Sequence, residues 1–164
     1  MKKLFALLFA VMVVAGLHAQ QKTDLPNVTI KDLQGKDVNI AKLNNDGKPF
    51  VMTFWATWCG PCIKEHNALD EVYAEWQEET GVKIYAVSID DSRTTAKVKP
   101  FVEGKGWTFE VLLDANKDLA RAMNVSNPPH TFLFDGKGKL VYQHTGYFDG
   151  AEEDLYEEIL KLKK

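Results

Sequence analysis

The sequence predicts an α/β domain built on a mixed central sheet sandwiched by helices, with an N-terminal β-hairpin extension. Three observations carry that expectation. The apolar runs at 50–55 and 82–89 are nearly continuous rather than alternating, as strands with both faces covered are. A helical spacing of apolar residues follows the first of them, and a second helical stretch follows the other. Two pairs of short strand-like runs, one near each end of the chain, enclose glycine-containing turns.

Taken in order, residues 28–30 and 38–40 flank Gln34-Gly35-Lys36, and the spacing predicts an antiparallel hairpin. Phe50–Trp55 is the first core strand. Cys62, His66, Leu69, Tyr73 and Trp76 then recur at steps of four and three, which predicts a helix over 59–79, closed by Gly81 in a left-handed cap. Residues 82–89 form the second core strand. Residues 95–105 read as a helix that Pro100 kinks or restarts, and 116–123 as a shorter one. His130–Phe134 and Leu140–Thr145 enclose Asp135-Gly136-Lys137-Gly138 and pair as a hairpin. Asp149-Gly150-Ala151-Glu152 predicts a capping box opening a last helix that runs close to Lys164.

Residues 1–19 read as a secretory signal: Lys2 and Lys3 open it, 4–17 is an uncharged apolar run, and Ala19 is a small residue before the expected cut. The triplet Leu17-His18-Ala19 departs from the preferred cleavage pattern at its first position. An uncut membrane anchor is therefore the alternative, although the run is short for a span. Residues 20–164 then form one domain with a single core, expected to be a monomer in the periplasm, where disulfides persist. The formal charge of the whole chain is −3, and −5 without Lys2 and Lys3, spread along the sequence. That excludes a nucleic-acid partner. Acidic groups at 75–79 and 152–158 fall on helical patterns backed by Tyr73, Trp76, Leu155 and Ile159 and read as solvated faces. There is no Gly-x-Gly-x-x-Gly fingerprint, so no cofactor is expected and electrons must come from elsewhere.

The chain has two cysteines, Cys59 and Cys62. Two residues between them put both thiols on the first turn of the predicted helix, where unpaired amide N–H groups and the helix dipole favour a thiolate. Pro61 suits that turn, since its missing N–H would have had no partner there. A zinc corner would need two more ligands, and no further cysteine exists. A merely structural cross-link would close a four-residue loop and constrain the unfolded chain very little.

Strand, Trp58-Cys59-Gly60-Pro61-Cys62, helix, and then Pro129 entering a later core strand resemble the thioredoxin fold over nearly all of residues 20–164. More narrowly, the hairpin, the phrase Phe54-Trp55-Ala56-Thr57-Trp58-Cys59-Gly60-Pro61-Cys62-Ile63-Lys64-Glu65 and the phrase Pro129-His130-Thr131-Phe132-Leu133 resemble exported thiol-disulfide oxidoreductases of the TlpA/ResA-like family. The resemblance implies a protein-disulfide reductase or exchanger. Its clients would be oxidised exported proteins, and its electrons would come from a membrane thiol-disulfide protein. Gly60-Pro61 goes with reducing members. Cys59, first at the helix start, is the expected nucleophile, and Cys62 the resolving thiol.

The resemblance also implies that Glu65 tunes the cysteines and assists proton transfer. Glu65 projects about 60° round the helix from Cys62 and roughly 4.5 Å along it, within reach of that thiol. The competing reading is an exposed helix carboxylate. Thr53 and Ala86 stand where thioredoxin itself has a buried Asp and its accompanying Lys, so another group must move the proton. Pro129 stands at the family's cis-proline, whose missing N–H leaves neighbouring backbone to an extended substrate. Trp58, Gly60, Pro61 and Pro129 are the expected substrate-binding residues, with Trp58 at the surface and Trp55 in the core. His66 falls on the apolar stripe and reads as a packed side chain, and Asn67 replaces the family's helix-kinking proline. Three other functions compete: an oxidant with the same residues, separable by reduction potential; a copper chaperone using Cys59, Cys62 and His130; and a peroxidase. The last is disfavoured, because peroxiredoxins carry Thr three before the nucleophile and Ala56 stands there.

Overall fold

The computed structural model describes residues 24–163, so the signal-peptide expectation at 1–19 lies outside the described residues. Seven strands form one sheet: β1 (Thr29–Asp32), β2 (Asp37–Asn39), β3 (Phe50–Trp55), β4 (Lys83–Ser88), β5 (Glu110–Leu113), β6 (His130–Phe134) and β7 (Leu140–Thr145). Their order is β2-β1-β5-β4-β3-β6-β7. The pairs β3/β4 and β4/β5 are parallel and the other four are antiparallel. Four helices join them: α1 (Gly60–Thr80), α2 (Val98–Lys105), α3 (Asp118–Ala122) and α4 (Ala151–Leu160). Among the described residues no helix is long and apolar enough to cross a membrane.

The mixed sheet and the N-terminal hairpin are as expected, but β5 is an addition to the predicted order. Its four residues are too few to show a period, and their strand character comes from pairing with β4 on one side and β1 on the other. Short strands of this kind are made by tertiary contact rather than local preference.

Local chemistry accounts for the element ends. Asp32 Oδ1 accepts from the backbone N–H groups of Gln34 and Lys36 and ties the β1–β2 turn, in which Gly35 takes the left-handed φ of 82°. Gly81, at φ 68°, closes α1 by donating its N–H to the Gln77 carbonyl. Pro100 restarts rather than kinks its segment. A 3₁₀ turn at Thr95–Lys97 precedes α2, and the proline lies in the first turn of that helix, where no intrahelical N–H is required. The capping box at α4 does not form. Gly150 is the N-cap with φ 93° and no side-chain cap bond, and that left-handed entry replaces the extended N-cap geometry that would let Asp149 reach the helix amides.

Both faces of the central strands are buried. Thr53 and Trp55 face one side with α1, while Phe50 and Phe54 face the other and pack against Phe134 and Phe132. The β6–β7 turn is locked onto the loop before β3: a Cβ at Gly136 would lie 1.8 Å from the Gly47 carbonyl oxygen. Backbone cannot yield as a flexible side chain would. We expect Gly136→Ala to cost about 2 kcal/mol in denaturant unfolding, through forced separation of these two loops.

Candidate active site

The site begins where β3 ends. The chain leaves Trp55 in a turn closed by Cys59 N–H to the Ala56 carbonyl (3.0 Å), and α1 starts immediately afterwards. Asp90, fully buried beyond the end of β4, holds the loop. Its carboxylate accepts from Thr57 N–H (2.8 Å), Thr57 Oγ1 (2.6 Å) and Ser88 Oγ (2.9 Å). Cys59 is the N-cap of α1, and its Sγ accepts the N–H of Cys62 at 3.3 Å. The sulfur therefore takes the place of a capping oxygen and receives a donor that would otherwise be orphaned. Cys59 and Cys62 are joined as a disulfide. Cys59 keeps 6 % exposure and Cys62 none, so the first cysteine is the one a partner can approach. Trp58 beside it is 59 % exposed and Trp55 is fully buried, as the sequence predicts.

Glu65 is not an exposed helix carboxylate. It is 3 % exposed and lies against the sheet. Thr53 Oγ1 donates to Oε2 (3.2 Å), Thr131 Oγ1 stands 2.9 Å from Oε1, and His144 Nε2 stands 3.0 Å from the same oxygen. Thr131 Oγ1 also faces Thr53 Oγ1 at 3.0 Å, and Thr53 Oγ1 lies 3.4 Å from His66 Nε2, so the carboxyl group sits in a connected polar cluster. Thr53, which lacks the acid of thioredoxin's strand, thus receives one from the helix.

His66 is packed as expected. Its ring lies 4.8 Å from Trp107, 5.2 Å from Trp55 and 5.3 Å from Phe109. Burial pulls its pKa from 6.5 down to about 4, against the opposing charge of Glu65. Asn67, in the family's proline position, accepts from Trp107 Nε1 at 3.1 Å and ties α1 to the segment before β5.

The Pro128–Pro129 peptide bond is cis, as expected. His130 pairs with Phe54, so Pro129 stands beside the end of β3 from which the cysteine loop departs. The Pro129 carbonyl accepts from Gly146 N–H at 2.8 Å. His130 Nε2 is 3.1 Å from Gln143 Oε1 and its ring stacks on Phe132. Among the described residues no group of three or more His, Cys, Asp or Glu side chains is placed to hold a metal ion. Gly60 and Pro61 line an open cleft with Lys64, Tyr147, Phe148 and Asp149, and Phe148 is strongly exposed.

Asp90, Thr131 and His144 escaped the sequence reading. The one available signal was at β7, where Leu140, Tyr142 and His144 occupy the inward positions of an alternating strand and the last is an imidazole where an apolar residue would be ordinary.

A mixed sheet with a Cys-x-x-Cys disulfide on the first turn of its longest helix defines a thioredoxin-like thiol-disulfide oxidoreductase. The chain belongs to the AhpC/TSA family, whose model it matches over residues 22–143, and is a ResA-like member with Cys59 and Cys62 as its redox-active pair. It is 36 % identical over 150 residues to the thiol-disulfide oxidoreductase ResA of Bacillus subtilis, covering 91 % of this chain and 81 % of that one. ResA of Halalkalibacterium halodurans is 32 % identical over 138 residues, 84 % of this chain and 74 % of that protein. Among solved structures, a thioredoxin-like protein of Porphyromonas gingivalis is 52 % identical with a TM-score of 0.77, over 85 % of this chain and 91 % of the other. StoA of Bacillus subtilis is 27 % identical with a TM-score of 0.64, over 81 % and 98 %.

Proposed function

We propose that the protein is exported and reduces, or exchanges, disulfides in other exported proteins, with Cys59 as nucleophile, Cys62 as resolving thiol and Glu65 as proton acceptor. The observation that carries this reading is the buried carboxylate of Glu65, one helical turn beyond the buried Cys62 and surrounded by donors. The basic and apolar start of the sequence supports export.

In the reduced protein the Cys59 thiolate attacks one sulfur of a client disulfide. The client's other sulfur leaves as a thiolate and takes a proton from water. Cys62 then gives its proton to Glu65 and attacks the Cys59 sulfur. The Cys59–Cys62 bond forms, and the second client sulfur departs with the electron pair of the broken mixed disulfide. Two electrons have passed from the dithiol to the client, and a membrane thiol-disulfide protein restores the dithiol. Trp58, Gly60, Pro61 and Pro129 form the surface on which the client lies. Neither Pro128 nor Pro129 has an N–H, and Gly146 occupies the Pro129 carbonyl, so the Pro128 carbonyl is what the loop offers an extended peptide.

Glu65→Gln keeps the shape and removes the titrating oxygen. We expect release of the mixed disulfide to slow on the order of a hundredfold, with the fold retained. Stopped-flow exchange with an oxidised protein across pH 5 to 9 measures it. A variant profile that overlays that of the wild type reduces Glu65 to a structural residue.

A further inference from the structure

The strand register places His144 with unusual economy. Thr53 pairs with Thr131, and Thr131 pairs with His144, so the three side chains form one row across β3, β6 and β7 on the face covered by α1. Glu65 descends from α1 onto that row. An imidazole in the inward row of an edge strand is unfavourable unless it finds a partner. Here the partner is the carboxylate, and the two side chains are only 11 % and 4 % exposed.

The two oxygens of Glu65 are served unequally. Oε1 has Thr131 at 2.9 Å and His144 at 3.0 Å, whereas Oε2 has only Thr53 at 3.2 Å. The Thr131 hydroxyl has one hydrogen and also faces Thr53 Oγ1 at 3.0 Å, so the imidazole is the donor committed to Oε1. His144 Nδ1 is buried without a partner among the described residues, which matches the tautomer that carries its hydrogen on Nε2.

We infer that His144 is a positioning residue for the exchange reaction: its Nε2–H pins Oε1 of Glu65 and leaves Oε2 as the oxygen that takes the Cys62 proton. This rests on Glu65 being the proton acceptor. The other titratable groups around the imidazole are His130 on β6 and Tyr142 two residues back on β7.

The test compares exchange rates of the full-length protein with oxidised insulin across pH 5 to 9 for five forms: wild type, His144→Val, His144→Gln, Glu65→Gln and the double variant Glu65→Gln/His144→Val. Valine suits a strand and donates nothing; glutamine has an N–H that can reach Oε1. The expected result is that His144→Val is about tenfold slower across the pH range. His144→Gln returns to within about twofold of wild type, and the double variant is no slower than Glu65→Gln alone. His144→Thr, too short to reach Oε1, gives the same comparison if valine does not fold. A wild-type profile for His144→Val with a slow Glu65→Gln overturns the role of His144 while leaving Glu65 in place. Failure of glutamine to rescue, or additive losses in the double variant, overturns it as well. Wild-type rates for Glu65→Gln overturn the reading of Glu65 and this inference together.

Discussion

Cys62→Ser will stop the reaction at the mixed disulfide. The variant keeps Cys59 at the N-cap of α1, where the amide of residue 62 still points at its sulfur, so the first attack remains available. What is lost is the second sulfur, fully buried in the first turn of the helix, whose attack within the same molecule releases the client in the proposed mechanism. Turnover should fall by about three orders of magnitude, and a covalent adduct through residue 59 should accumulate on a non-reducing gel and disappear with dithiothreitol. Cys59→Ser should lose the same turnover and form no adduct. An adduct in Cys59→Ser and none in Cys62→Ser would exchange the roles of the two cysteines. The captured partners, identified by mass spectrometry, are the clients.

The second large effect is on stability. His66 sits among three aromatic rings with its pKa held at about 4, while an unfolded chain returns it to 6.5. Between those values the unfolded state binds a proton that the folded state refuses, so stability falls as pH falls. The contribution is fully present above pH 6.5 and is lost by about pH 4, amounting to roughly 3 kcal/mol. Urea unfolding at pH 7, 6, 5 and 4 should show this slope, and His66→Phe should flatten it. Equal slopes in both proteins would remove His66 as its source.

The sequence was most legible where a local rule and the tertiary structure agree. The start of α1 at the cysteine motif, the Gly81 stop, the β6–β7 hairpin and the packed His66 all follow from spacing and residue type, and each is found where expected. The misses have physical causes. β5 has no period of its own and exists because β4 and β1 hold it. The α4 capping box fails because Gly150 enters the helix from the left-handed region, a backbone choice that the spacing of Asp149 and Glu152 does not reveal. Glu65 was singled out by the family resemblance, but its burial was not legible. Its burial depends on Thr131 and His144, which lie 66 and 79 positions further along the chain and meet it only through strand register. Asp90 likewise acts across 33 positions.

The N-terminal hairpin bears on how copies of this protein coexist. Without it, β5 would offer an open row of N–H and C=O groups beside the parallel core, an invitation to a strand from another molecule. β1 occupies that row through Lys31 and Asp32, and β2 then ends the sheet with three residues, among them Asp37 in an ion pair with Lys31. A terminus so short and charged gives an incoming strand little to extend. The extension is thus a stop to sheet growth at this end of the sheet, and it leaves two copies of the chain little backbone by which to join there.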